Sequence, residues 1–172
     1  MFIPVNFGTM AAMAKTTEHT FVLPGTSPDR ALEILSSEAF EIEQNESQEG
    51  NKSCAVIPKS KDDARLTYTL KTVEYGRGLT GVDRSKTNDT TTEVTWDLNK
   101  RASSWVYTGT QPGRVKVWGG TAITPEGDGC KIRSTLNVEI KIPLVGRKIE
   151  DAVIKGTDQH WPEFERLVRK HV

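Results

Sequence analysis

From Cys130 to Ile142 the chain alternates without interruption. Cys130, Ile132, Ser134, Leu136, Val138, Ile140 and Ile142 fall on one side, and Lys131, Arg133, Thr135, Asn137, Glu139 and Lys141 on the other. A period of two held over thirteen residues predicts a strand with one buried and one wet face, longer than the usual ~5–6 residues and therefore bent around a core. An antiparallel sheet solvated on one side is its natural setting. After Pro143 and Leu144 the period changes. Val145, Ile149, Ala152, Val153, Gly156, His160, Phe164, Leu167 and Val168 step by threes and fours. This predicts an amphipathic helix of roughly 25 residues, ~38 Å long at 1.5 Å per residue. The pairs Glu163–Arg166 and Glu165–Arg169 support its polar side. Pro162 removes one ladder hydrogen bond and its ring crowds the carbonyl of Asp158, so a kink or break is expected near His160 and Trp161.

Upstream, the run 17–23 alternates through His19, Phe21 and Leu23 and predicts a short strand ended by Pro24-Gly25. Ser27-Pro28 predicts a helix start, with the serine hydroxyl as cap and the proline where its missing N–H costs nothing. Ala31, Leu32, Leu35, Ala39 and Phe40 continue at helical spacing, divided into two short pieces around Ser36-Ser37. The segment Glu38–Glu49 carries five glutamates and is expected to be a solvated acidic face leading into a loop. Five more strands are predicted at 53–59, 64–75, 91–98, 103–110 and 114–124, the first placed at a sheet edge by Pro58. A turn is expected at 125–129.

The elements therefore run strand, two short helices, six antiparallel strands, one long helix. A single sheet with one dry face must cover it, and only the last helix is long enough. The expected fold is α+β: a curved seven-stranded antiparallel sheet wrapped around the C-terminal helix. The concavity between them is the expected place for an apolar ligand cavity.

Composition narrows the function classes. The chain has 172 residues with 23 basic and 23 acidic side chains, so no general charge favours nucleic acid or an anionic membrane. No window approaches the ~18 apolar residues of a membrane span, and no integral membrane association is expected. Cys54 and Cys130 have no metal-ligand spacing and read as ordinary buried thiols in a reducing compartment, so a cytoplasmic location is expected. Three N-x-S/T sequons, at Asn45, Asn51 and Asn88, would matter only in a secreted chain. Residues 1–16 lack the basic start of a secretory signal and are expected to be a disordered or over-long leader before a single domain at 17–172.

The stretch VWGGTAITPEGDGCKIRSTLNVEIKIPLVGRKIEDAV resembles the START-like, or helix-grip, superfamily, and most nearly an uncharacterised branch defined only as a domain of unknown function. It shares a Gly-Thr strand, a TP-x-G-D-G turn, an alternating last strand and P-L-V-G-x-K-I-E opening the final helix. EHTFVLP followed by SPDRALEIL is similar to the superfamily's opening strand and helix. The resemblance implies this same fold and, across the superfamily, binding of lipids, sterols, polyketides or plant hormones, with cyclisation or dehydration in some members. It implies no fixed catalytic set.

Candidate site residues follow from the concave face. From the strands they are Tyr68, Leu70, Trp96, Trp105 and Tyr107, with Val117, Leu136, Val138 and Ile140 beside them. From the helix they are Val153, Gly156, His160 and Phe164. His160 reads either as a polar anchor for a ligand head group, with an imidazole near its ordinary pKa of ~6.5, or as a core histidine bonded to the sheet. His19 and His160 alone do not make a metal site, and neither metal nor cofactor is expected. Gly156, at ~1 kcal/mol worse than alanine in a helix, is expected to make room for a ligand or a close strand. Trp118 would join the concave face only through a bulge at Gly119-Gly120. Gly76, Gly78 and Gly81 spell GxGxxG, but no helix follows, so a flexible loop at the cavity mouth is expected rather than a nucleotide site. The leading expectation is a module that binds or carries a small hydrophobic molecule. The alternatives are a cyclase or dehydratase using His160 with Tyr68 or Tyr107, and an interaction module with a collapsed cavity.

Overall fold

Ser27 caps the first helix as its position predicts, its Oγ accepting from the N–H of Arg30 at 3.1 Å, with Pro28 in the first turn. A second serine, Ser37, does the same for the next helix through the N–H of Phe40 at 3.3 Å. The computed structural model describes residues 14–78 and 81–172. Most of the leader proposed at 1–16 lies outside them. In chain order the elements are β1 (Lys15–Leu23), α1 (Pro28–Leu35), α2 (Glu38–Glu46), β2 (Asn51–Lys61), β3 (Arg65–Gly78), β4 (Gly81–Asp97), β5 (Ala102–Thr108), β6 (Val115–Glu126), β7 (Gly129–Ile140) and α3 (Gly146–His171). The strands form one curved sheet in the order β1-β7-β6-β5-β4-β3-β2, every neighbouring pair antiparallel.

The sheet's inner face follows from register. Ile132 stands opposite Phe21 on one side and Ile123 on the other; Leu136 is flanked by Thr17 and Gly119, and Val138 by Lys15 and Val117. On the next strands Trp105 lies between Gly119 and Val94, and Tyr107 between Val117 and Thr92. The helix α3 packs on β1 and β7, while α1 packs on β6 and β7 and α2 on β2. Phe21, Ile132, Phe40, Phe164, Leu167 and Val168 join these layers into the core.

Several expectations change. The polar, glycine-bearing loop expected between the third and fourth strands is instead a long hairpin. Gly76 and Gly78 lie in β3 and Gly81 in β4, while Leu79 and Thr80 lie outside the described residues. Threonine-rich chain favours extended backbone even where neither face is buried, so this ribbon carries no alternation by which to find it. A register shift between Tyr75 and Gly76, whose partners jump from Thr87 to Asp83, interrupts the ladder. No bulge forms at Gly119-Gly120. Trp118 stays opposite Val106 and Asn137, on the outer face. Pro162 does not break the last helix, which runs continuously from Gly146 to His171. Gly156 makes no room for a neighbour, because a Cβ there would meet nothing within 4 Å and the residue is exposed. The acidic segment is mostly at the surface as expected, with Glu38, Glu46 and Glu49 exposed; Glu41 is the exception and is buried, while Glu43 engages Lys170 and His171 and Glu46 accepts from the N–H of Cys54 at 3.1 Å.

Candidate cleft between the sheet and the C-terminal helix

The two halves of α3 meet the sheet differently. Toward its C-terminus, Phe164 lies edge-on to Phe21, Phe40 and Trp161 with ring centroids 6.0–6.1 Å apart. His19 stacks on Trp161 at 5.9 Å and bonds Glu165 at 2.8 Å, and Trp161 Nε1 donates to Thr17 Oγ1 at 3.1 Å. These contacts fasten that half along β1. In the N-terminal half, Val153, Ile154, Thr157 and His160 are only half-buried. At the start of the helix, Glu150 is buried and accepts from the N–H of Ile140 at 2.8 Å.

On the sheet, the inner surface of β5 and β6, together with Leu136 of β7, is incompletely covered. Trp105, Tyr107, Val117 and Leu136 are all half-buried. Trp105 reaches across β6 because Gly119 has no side chain: a Cβ there would lie 2.6 Å from the indole Cζ2. These half-buried aromatic and aliphatic groups form an apolar surface that α3 covers incompletely, the candidate cleft. The enclosed cavity expected beneath α3 is not one of the two best-formed concavities among the described residues. A groove of about 480 Å³ lies mainly on the outer face, between Val106, Lys116, Trp118 and Glu139 with Val117, and one of about 330 Å³ lies where α1 and Ser37 approach Leu66 and Leu98.

Polar groups in the cleft are few. His160 points from the stripe that carries Val153 and Phe164, and its Nε2 is buried without a hydrogen-bond partner among the described residues. Burial lowers its pKa and favours a neutral imidazole, opposed in part by the nearby charge of Glu163. At the other end of the cleft, the Tyr107 hydroxyl donates to Glu74 Oε2 at 3.1 Å, while Thr90 Oγ1 donates to Glu74 Oε1 at 3.0 Å. Burial first, then the Glu74 carboxylate, raises the Tyr107 pKa, so the phenol stays protonated.

The other candidates belong to the packed interior. Tyr68, Leu70, Trp96 and Phe164 are core residues, and Val138 and Ile140 are buried as well. The polar atoms of Tyr68 and Trp96 serve a buried group that sequence reasoning missed. The Tyr68 hydroxyl donates to Glu41 Oε1 at 2.5 Å and accepts from Trp96 Nε1 at 3.1 Å. Burial pushes the Glu41 pKa up to about 7, only partly countered by the Tyr68 hydrogen bond. The only sequence signal was Phe40, whose helical position places Glu41 at the edge of the same buried face. Among the described residues no group of three or more His, Cys, Asp or Glu is arranged to hold a metal.

The solved structures similar to this chain share its fold at low identity. The aromatase/cyclase ZhuI from Streptomyces sp. R1128 is 13% identical with a TM-score of 0.60, over 92% of this chain and 93% of that one. A norcoclaurine synthase mutant from Thalictrum flavum, solved with a transition-state analogue, is 14% identical with a TM-score of 0.62, over 92% and 96%. TTHA0849 from Thermus thermophilus is 17% identical with a TM-score of 0.59, over 92% and 95%. At such identities the likeness establishes the helix-grip fold and nothing finer. No curated protein matches the chain. The sequence pattern of one family, described as protein of unknown function (DUF2505), matches residues 18–172, and with nearly the whole chain covered this protein belongs to that family.

Proposed function

We propose that the protein binds a small hydrophobic molecule in the open cleft between α3 and β5–β7, holding it by apolar contact and one hydrogen bond from His160. One observation carries the reading: the buried imidazole nitrogen of His160, without a hydrogen-bond partner among the described residues, on the helix stripe that faces the sheet. An orphaned buried polar atom forfeits about 1–3 kcal/mol unless something bonds it, and a ligand carbonyl or hydroxyl would supply the partner. Lipid-, sterol- or polyketide-like molecules meet this requirement. The similar structures include an aromatase/cyclase and norcoclaurine synthase, which supports a binding role for this fold without assigning this chain a reaction. Among the described residues no acid–base partner is hydrogen-bonded to His160, and holding a ligand is the role proposed.

The purified protein, denatured and extracted with organic solvent, is expected to release a small apolar molecule detectable by mass spectrometry. Titration with the apolar dye 1-anilinonaphthalene-8-sulfonate is expected to show saturable binding that quenches Trp105. His160→Ala is expected to weaken retention of the extracted ligand by about tenfold, the worth of one hydrogen bond, and Val153→Trp to block the cleft. An empty extract together with no saturable dye binding would overturn the proposal.

A further inference from the structure

One side of α3 remains unexplained by the cleft. Leu144 is fully exposed with φ +68°, and Val145 and Ile149 are 44% and 37% exposed. Ala152 and Gly156 continue the line, also exposed. At about 100° per residue Val145, Ile149, Ala152 and Gly156 share one stripe of the helix, with Leu144 in the turn just before it, and this stripe is turned by roughly a quarter circle from the stripe of Val153, His160 and Phe164 that faces the sheet. The side fastened to β1 is different again, carrying Asp151, which pairs with Lys15, and Glu165, which bonds His19.

The charges beside the N-terminal part of the exposed stripe that lack an ion-pair partner among the described residues are basic. Lys148 and Lys155 lie along one edge of it, and Arg147 stands in the same first turn on the far side of the helix. None of the three makes an ion pair among the described residues, whereas nearby Lys141 reaches Glu139 at 3.5 Å. The acids on these turns are occupied, Asp151 by Lys15 and Glu150 by the N–H of Ile140 at 2.8 Å. Equal totals of 23 basic and 23 acidic residues therefore conceal a locally cationic face.

The geometry points to the surface of an anionic lipid bilayer as the occupant of this face. Leu144, Val145 and Ile149 would enter the boundary between headgroups and acyl chains, with Lys148 and Lys155 meeting lipid phosphates beside them. A second copy of the chain fits less well. A two-fold contact through the stripe would oppose the same lysines across the interface, where like charges repel. Docking here would set the looser half of α3, one wall of the cleft, beside the bilayer. This inference goes beyond the ligand reading and does not require it.

Vesicle flotation of the full chain tests it, using phosphatidylcholine alone and phosphatidylcholine with about one third phosphatidylserine. Anionic vesicles are expected to bind at least tenfold more tightly than neutral ones, and the preference to shrink as salt screens the lysines. Leu144→Ser and the pair Lys148→Glu with Lys155→Glu are each expected to lower that binding about tenfold. These side chains are exposed, so circular dichroism should show both variants folded as the parent is. Equal binding to both vesicle types, variants that float like the parent, or a lipid-free dimer abolished by Leu144→Ser would each overturn the inference. Dye titration of the cleft is a separate readout, so failure of docking and failure of ligand binding are distinguishable.

Discussion

Glu41 shows how one residue can set the pH response of a fold. Its pKa is raised by burial from an ordinary 4.5 to about 7 in the folded protein. The native state therefore holds a proton that the unfolded chain releases, and stability falls as pH rises from about 4.5 to about 7, remaining low above that. The shift corresponds to roughly 3 kcal/mol across the window. Glu41→Gln keeps an acceptor for the Tyr68 hydroxyl and removes the charge. Urea unfolding at pH 5 and pH 8 is expected to give a smaller difference for the variant than for the parent, with the gain in stability at pH 8. An unchanged difference would show that the slope arises elsewhere. His160 acts in the opposite sense: its lowered pKa favours the neutral ring, and its contribution fades as pH falls through the folded value, below 6.5. His160 was legible as a candidate because helical spacing places it in line with Phe164. Glu41 was not, since a glutamate among five in a short segment reads as solvent-facing until α2 is laid against the sheet.

At the scale of elements, α3 joins a fastened half to a loose one. Phe164 is held between Phe21 and Phe40 at 5% exposure, and Phe164→Ala is expected to cost about 3–5 kcal/mol in chemical denaturation. Gly156 faces open space, with no atom within 4 Å of a Cβ there. Gly156→Ala should raise stability by up to about 1 kcal/mol through helix propensity and reduced freedom of the unfolded chain; a loss of stability would show that the glycine serves packing. Gly119 is the contrasting case. A Cβ would strike the Thr135 carbonyl oxygen at 2.0 Å and the Trp105 ring at 2.6 Å, so Gly119→Ala is expected to destabilise the fold and to disturb Trp105 fluorescence. Sequence spacing found α3, β7 and both serine-capped helices, because each buries one face and repeats its period. It missed the outer part of the β3–β4 hairpin, where no face is buried, and it expected Pro162 to interrupt a helix that the Phe164 cluster just beyond it holds in place.

For the molecule as a whole, uneven closure of the grip is the property that matters. Hydrogen exchange should be faster at amides 150–158 than at 163–170, since only the latter lie over a packed aromatic core. Addition of a cleft ligand is expected to slow the first set selectively, and uniform exchange along α3 would contradict the uneven packing. The sequence by itself determined the α+β class, the order of elements, the alternating faces and the long amphipathic closure, because periodicity records which side of each element avoids water. Tertiary structure alone decided that α3 packs on β1 and β7 and leaves the inner face of β5 and β6 only partly covered. It also decided that Tyr68 and Trp96 turn to Glu41 rather than to a ligand, and that the lysines of a neutral chain gather beside one apolar stripe. The physical reason is distance along the chain: these arrangements depend on which remote faces meet once the sheet curves, and local spacing carries no record of that meeting.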